Sequence, residues 1–345
     1  MGAATPENAE ANNMTMQPNP DQIKAPSRRV SVIDIARGVA LIAMAIYHFA
    51  WDLEFFGYAD PGMTAYGNWK LFARCIASSF LFLVGVSLVL AHAKGIRWPG
   101  YFRRLAMVAA AALVITVATW FATPDTFIFF GILHHIALAS VLGLAFLRVP
   151  PVLTLVAAAL VVVAPQYLRS EAFNHPVLVW IGLSTANPRS NDFVPLFPFF
   201  GAVLAGIGVA GLALRAGLIE KMSRLQPGAW SLPLSFFGRH SLAFYLIHQP
   251  VMISLVWLFA QVFPAPVETR EVTFLKSCQL SCEQSRDTDF CSRYCVCMLD
   301  ELQKDDSFDR LYASDQSPEL RAHVAQTAAM CTANTDSQTI PGGAQ

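Results

Sequence analysis

The sequence predicts an all-α integral membrane protein: a polytopic bundle of about seven transmembrane helices, followed by a small Cys-rich, helical C-terminal domain. Three observations carry this. Of 345 residues, 54% are apolar and only 14% charged, against roughly a quarter charged in an ordinary soluble domain. Apolar runs long enough to cross a bilayer recur from Val30 to Phe263. Six of the seven cysteines fall after Ser277.

Taken in chain order, residues 1–29 are polar, with Pro6, Pro18, Pro20 and Pro26, and read as a disordered cytosolic tail. They are not a cleavable signal, because the first apolar run starts only near Val30 and more runs follow. Spans are expected over 32–51, 71–93, 103–123, 127–147, 150–168, 194–215 and 240–263. The apolar piece Pro176 to Leu183 is too short to cross and reads as a re-entrant or interfacial segment. Lys24, Arg28 and Arg29 precede span 1, and Lys94, Arg97, Arg103 and Arg104 follow span 2. Arg148 follows span 4, and Arg215, Lys221 and Arg224 follow span 6. The excess of basic residues on these segments places them in the cytosol, and an odd span count then puts the C-terminal tail outside.

The formal net charge of zero is a sum of unlike halves. Residues 1–264 hold 17 basic and 11 acidic side chains, whereas residues 265–345 hold 7 basic and 13 acidic. Outside the short inter-helix segments no concentrated positive surface exists, which excludes a nucleic-acid-binding protein.

The first span carries four polar side chains, Asp34, Arg37, His48 and Asp52. Arg37 and His48 are eleven residues apart, which on an α-helix means ~20° in direction and ~16 Å in height. Asp34 and Asp52 fall on the same stripe, giving an inner pair (Asp34, Arg37) and an outer pair (His48, Asp52). Ionisable groups at such depth pair with one another or line a polar cavity. A carboxylate four residues after His48 is placed to hold one ring nitrogen and leave the other as a general base. Gly38 leaves room for a neighbouring helix or a ligand.

Arg37-Gly38-Val-Ala followed by His48 resembles the first helix of membrane acyltransferases that acetylate bacterial surface glycans. The wider pattern resembles a bacterial membrane family related to heparan-α-glucosaminide N-acetyltransferase. It comprises Ile33-Asp34-Ile-Ala-Arg37-Gly38, Tyr47-His48-Phe-Ala-Trp-Asp52-Leu, Phe80-Leu-Phe-Leu-Val-Gly85 and Phe130-Gly-Ile-Leu-His134-His135. It continues in Asn191-Asp192-Phe-Val-Pro-Leu-Phe-Pro198 and in Gly238-Arg239-His240 through His248-Gln249-Pro250. The resemblance implies an enzyme in the bacterial inner membrane that moves an acetyl group from cytosolic acetyl-CoA to a sugar or glycan acceptor, by N- or O-acetylation. It implies catalytic roles for Arg37 and His48, with Asp34 and Asp52 as their partners. The eukaryotic glucosamine enzymes carry a reactive His in the loop after the first span. Residues 53–70 hold none here, so His48 takes that part.

At the inner level, Arg103, Arg104, Arg239 and His240 are candidates for the phosphates of coenzyme A, since guanidinium groups bind phosphate through paired hydrogen bonds. The positive-inside rule explains the same residues without a ligand. Toward the outside, Arg74, His134, Asn191, Asp192 and the mid-membrane His248 are candidates for the acceptor. Packing is the plainer role for a lone His in an apolar helix, and Asn191 and Asp192 serve equally as caps.

In the tail, Cys278-x3-Cys282 and Cys291-x3-Cys295 each put two thiols on one helix face, and Cys297 and Cys331 complete the six. The arrangement resembles twin Cx3C helical hairpins, which implies Cys278–Cys295, Cys282–Cys291 and, to complete the set, Cys297–Cys331. Six cysteines allow fifteen pairings. No metal site is assigned, although a metal remains the alternative, because Cx3C is not the usual zinc spacing. Residues 30–264 are thus expected to form the acyltransferase-like membrane domain. Residues 265–345 would form an acidic extracytoplasmic appendage for a protein partner. Two other classes stay open: a proton-linked small-molecule transporter using the same polar groups, and a membrane scaffold presenting the tail.

Overall fold

A computed structural model describes residues 30–339, apart from 94, 187, 226–227, 267–268 and 314–316. The expected disordered tail, 1–29, lies outside the described residues. The regular structure is all helical. The membrane part comprises α1 (Ser31–Phe55), α2 (Gly67–His92), α3 (Trp98–Ala122), α4 (Ile132–Phe146) and α5 (Pro151–Val163), with α6 (Pro165–Leu168) extending α5. It continues with α7 (Leu196–Arg215), two short helices α8 (Leu218–Arg224) and α9 (Leu232–Arg239), and α10 (Ser241–Val262). The tail comprises α11 (Arg270–Cys282), α12 (Thr288–Gln303), α13 (Ser307–Tyr312) and α14 (Pro318–Thr339).

Six of these segments are long and apolar enough to cross a membrane; α4, with 15 residues, is shorter. At 1.5 Å per residue α4 covers ~22 Å of a ~30 Å hydrocarbon layer. The expected span began at 127, but the helix starts only at Ile132 because side chains hold residues 126–131 in another shape. The Thr116 hydroxyl donates to the Ile128 carbonyl (2.7 Å), and the Ile128 N–H donates to the Thr119 hydroxyl (3.0 Å). Irregular backbone at such depth is tolerated where protein covers it. Here residues 190–194 do so, with Asn191 N–H on Thr126 (2.9 Å) and Val194 N–H on Phe130 (3.1 Å). The short Pro176 to Leu183 piece contains only a 3-10 turn, Val179–Ile181.

Close helix approach is bought with glycine. A Cβ on Gly38 would overlap the Leu234 carbonyl of α9, and one on Gly238 would overlap the Asp34 carbonyl of α1. The α2–α7 crossing repeats the device: Gly85 lies on the Val203 carbonyl and Gly206 on the Phe82 carbonyl. Around these crossings Leu81, Val203 and Leu204 are wholly buried. Large apolar side chains point outward instead on α3, α5 and α10, as lipid-facing surfaces require; Leu113, Leu160 and Leu255 are each about 60% exposed or more. Cys75, the free thiol, is exposed on α2.

The two ends of the membrane part lie at opposite ends of α1. Its start packs on α9, which leads directly into α10, while the Tyr58 hydroxyl beyond its end donates to the Phe263 carbonyl. Asp60, just after α1, pairs with Lys276 of α11 (2.9 Å). The start of α1 and the tail therefore lie at opposite ends of the bundle.

The tail is a helical unit closed by Cys278–Cys295, Cys282–Cys291 and Cys297–Cys331, the pairing implied by the hairpin resemblance. Met298, Leu299, Leu302 and Phe308 form its core with the third bridge.

Candidate active site

The site grows from α1 and α10, which run side by side in the same direction. The His48 ring on α1 meets the His248 ring on α10 edge-on, with centroids 5.0 Å apart. Tyr47 and Phe244 flank the pair; Phe244 is stacked parallel to His248. His248 is buried, and its Nδ1 donates to the Tyr245 carbonyl (2.8 Å). That bond puts the proton on Nδ1, so Nε2 carries a lone pair, and this atom is buried with no hydrogen-bond partner among the described residues. Pro250, inside α10, lacks the N–H that would otherwise bond within this turn.

One turn further along α1, Asp52 is completely buried. The sequence placed it as the group that orients His48. In the structure its hydrogen-bond partner is instead Gln249, whose Nε2 donates to Oδ1 at 2.6 Å. The Gln249 amide on the neighbouring helix reaches Asp52, whereas no hydrogen bond joins Asp52 to the His48 ring among the described residues. Asp52 Oδ2 and Gln249 Oε1 are both buried without partners, so the site has unused polar atoms beside the His pair.

At the inner end Asp34 and Arg37 pair as expected, at 3.2 Å. Arg37 also donates to the Ser87 hydroxyl of α2, which passes its own hydrogen to the Leu83 carbonyl. Arg239 follows Gly238 and so stands at this end of α1, bonded to the Ser235 carbonyl and hydroxyl and exposed beyond them. His240 bonds the Phe236 carbonyl (3.0 Å). The four expected phosphate ligands are not gathered together: Arg104 lines a separate cavity with Arg97, and Arg103 does not reach it.

Of the acceptor candidates, His134 is fully used. Its Nδ1 accepts from the Gly131 N–H (3.2 Å) and its Nε2 donates to the Thr116 hydroxyl (3.1 Å), so it closes the start of α4. Its neighbour His135 is wholly buried, with Nδ1 on the Val194 carbonyl (3.1 Å) and Nε2 unpartnered. Asn191 donates to the Thr123 hydroxyl (3.0 Å). The Asp192 carboxylate accepts from the Ile132 N–H (2.9 Å) at the start of α4 and from the Tyr245 hydroxyl (3.4 Å) on α10. Asp192 thereby fastens the start of α4 to the helix that carries His248. Arg74 is exposed on α2 and does not join the cluster.

A model of the heparan-alpha-glucosaminide N-acetyltransferase catalytic domain matches residues 29–250, well over half of the chain. The chain belongs to that family. The match starts just before α1 and ends at Pro250, so the heparan-α-glucosaminide N-acetyltransferase region takes in both histidines of the pair and leaves the cysteine-rich tail outside. No curated protein and no solved structure gives a significant match. This is a multi-pass membrane protein of an acetyltransferase family. Its site contains two residues that sequence reasoning did not single out, Gln249 and Tyr245. Both stood in the Ser241 to Pro250 run that carried the family pattern, but nothing in their spacing revealed partners on another helix.

Proposed function

We propose that this protein transfers an acetyl group from acetyl-CoA to a hydroxyl or amino group of a sugar or glycan. The observation that carries the reading is the His48–His248 pair, with an unprotonated, unpartnered Nε2 buried between two helices. Such a nitrogen is suited to take the acceptor's proton as its oxygen or nitrogen bonds to the thioester carbonyl carbon. The carbon–sulfur bond then breaks, and the coenzyme A thiolate leaves and gains a proton. An acetyl-histidine intermediate uses the same nitrogen as nucleophile. Asp52 and Gln249 offer hydrogen-bonding atoms beside the reacting centre.

The donor is read as entering from the α1-start side, where Arg37 and Arg239 supply positive charge. The acceptor approaches from the opposite end, past the loops that Asp192 holds. The basic residues of the segments before α1 and after α2, α4 and α7 support a cytosolic start and an extracytoplasmic tail in a bacterial inner membrane.

The test is acetyl transfer by the full-length protein in liposomes, with radiolabelled acetyl-CoA on one side and amino sugars or glycans on the other. The wild type should label an acceptor, and His48→Ala and His248→Ala should each lower the rate by about 10²–10⁴. Unchanged transfer by His48→Ala or by His248→Ala overturns the mechanism. Proton-driven solute uptake without any acetylated product points to a transporter.

A further inference from the structure

A cavity lies away from the histidine pair, at the end of the bundle where α1 starts. It occupies about 790 Å³ between the end of α2 and the start of α3, with Ser140 of α4 among its walls. α3 packs on α4 rather than on α2, which leaves a cleft between α2 and α3.

Its lining is graded along the membrane normal. At the end near the surface are Arg97 and Arg104, and no carboxylate lines the space. Neither guanidinium has a hydrogen-bond or ion-pair partner among the described residues. Tyr101 is 9% exposed, and its hydroxyl is buried without a partner against the same cavity. Its ring meets those of His92 and Trp98 edge-on, at 5.8 and 6.0 Å. Deeper in, the walls are apolar: Leu88, Leu105 and Val108. Two unpaired cations and an unsatisfied hydroxyl at one end of an apolar slot between two membrane-span helices fit an amphiphile with an anionic head.

We propose that this cleft binds an anionic glycerophospholipid. Arg97, Arg104 and the Tyr101 hydroxyl hold the phosphate, and one acyl chain lies between α2 and α3. Basic pockets between transmembrane helices are suited to such headgroups, and the planar guanidinium matches phosphate oxygens in pairs. The inference does not depend on acetyl transfer.

The experiment titrates the full-length protein in a mild nonionic detergent with palmitoyl-oleoyl phosphatidylglycerol or the matching phosphatidylcholine, and counts adducts by native mass spectrometry. The first phosphatidylglycerol should bind roughly tenfold more tightly than phosphatidylcholine. Arg97→Ala with Arg104→Ala should remove that preference, and Arg97→Lys with Arg104→Lys should keep part of it. Tyr101→Phe should weaken it. If the double alanine variant fails to fold, Arg97→Ala alone, at an exposed position, must still reduce the preference. Equal binding of the two lipids, or a preference that survives these alanine substitutions, overturns the proposal. So does displacement of phosphatidylglycerol by coenzyme A whose own binding is lost in Arg97→Ala, because the cleft would then serve a water-soluble phosphoester.

Discussion

At the scale of single residues, the polar atoms inside the bundle decide both stability and chemistry. Asp52 is wholly buried and takes one hydrogen bond, from Gln249. Gln249→Leu removes that donor and should cost about 1–3 kcal/mol, the penalty of a buried acceptor left without a partner. Asp52→Leu combined with Gln249→Leu should cost less than the two single changes added together, because neither polar group is then stranded. Thermal unfolding in detergent measures both. His134 makes the opposite case. Its two ring nitrogens are both committed to the start of α4, so His134→Asn should perturb stability before it perturbs any acceptor affinity. The sequence marked His48 and Asp52 for catalysis and His134 and His248 for the acceptor, because a histidine or carboxylate in an apolar run gives no sign of what it bonds. What separates them is the tertiary partner: Thr116 for one, Gln249 for another, none for His248 Nε2. Arg37 with Asp34 was legible because both partners sit on one helical turn.

Among elements, the glycine crossings set the packing. Gly85→Val should prevent α2 from seating on the Val203 carbonyl, and its cost should exceed the ~1–3 kcal/mol of ordinary overpacking, since rigid backbone faces the added atoms. Loss of a monodisperse peak on size exclusion is the readout. In the tail, chain entropy ranks the bridges. Cys297–Cys331 joins residues 34 apart and Cys282–Cys291 residues 9 apart, which corresponds to ~4 against ~2.5 kcal/mol. Replacing the first pair by serine should therefore lower the tail's unfolding temperature more than replacing the second. The start of α12 adds a pH term. The Asp287 carboxylate accepts the Phe290 N–H at 2.9 Å, which holds its pKa below the ordinary value. Because the folded pKa is depressed, this contribution is complete above the unfolded carboxylate value of about 4 and is lost as pH falls through the lower folded value. Asp287→Ala should flatten that part of the tail's acid-unfolding profile. The helices themselves were readable from apolar run length, whereas the late start of α4 was not. Residues 127–131 are as apolar as a span, and the bonds from Thr116, Thr119 and residues 190–194 keep them out of the helix.

For the whole molecule, the decisive relation is that the start of α1 and the cysteine-rich unit lie at opposite ends of the bundle. A maleimide reagent that does not cross membranes should label the reduced tail from one side of sealed vesicles only. A tag ahead of residue 30 should be cut by protease from the other side. Labelling and cleavage on the same side would require an even number of crossings and remove α4 from the membrane. On the proposed orientation, with the tail extracytoplasmic, its six thiols reach an oxidising compartment only after α10 has been inserted. The redox state of the tail is therefore a record of biogenesis. A molecule with three closed bridges has finished threading itself through the bilayer, and a non-reducing gel distinguishes it from one that stalled.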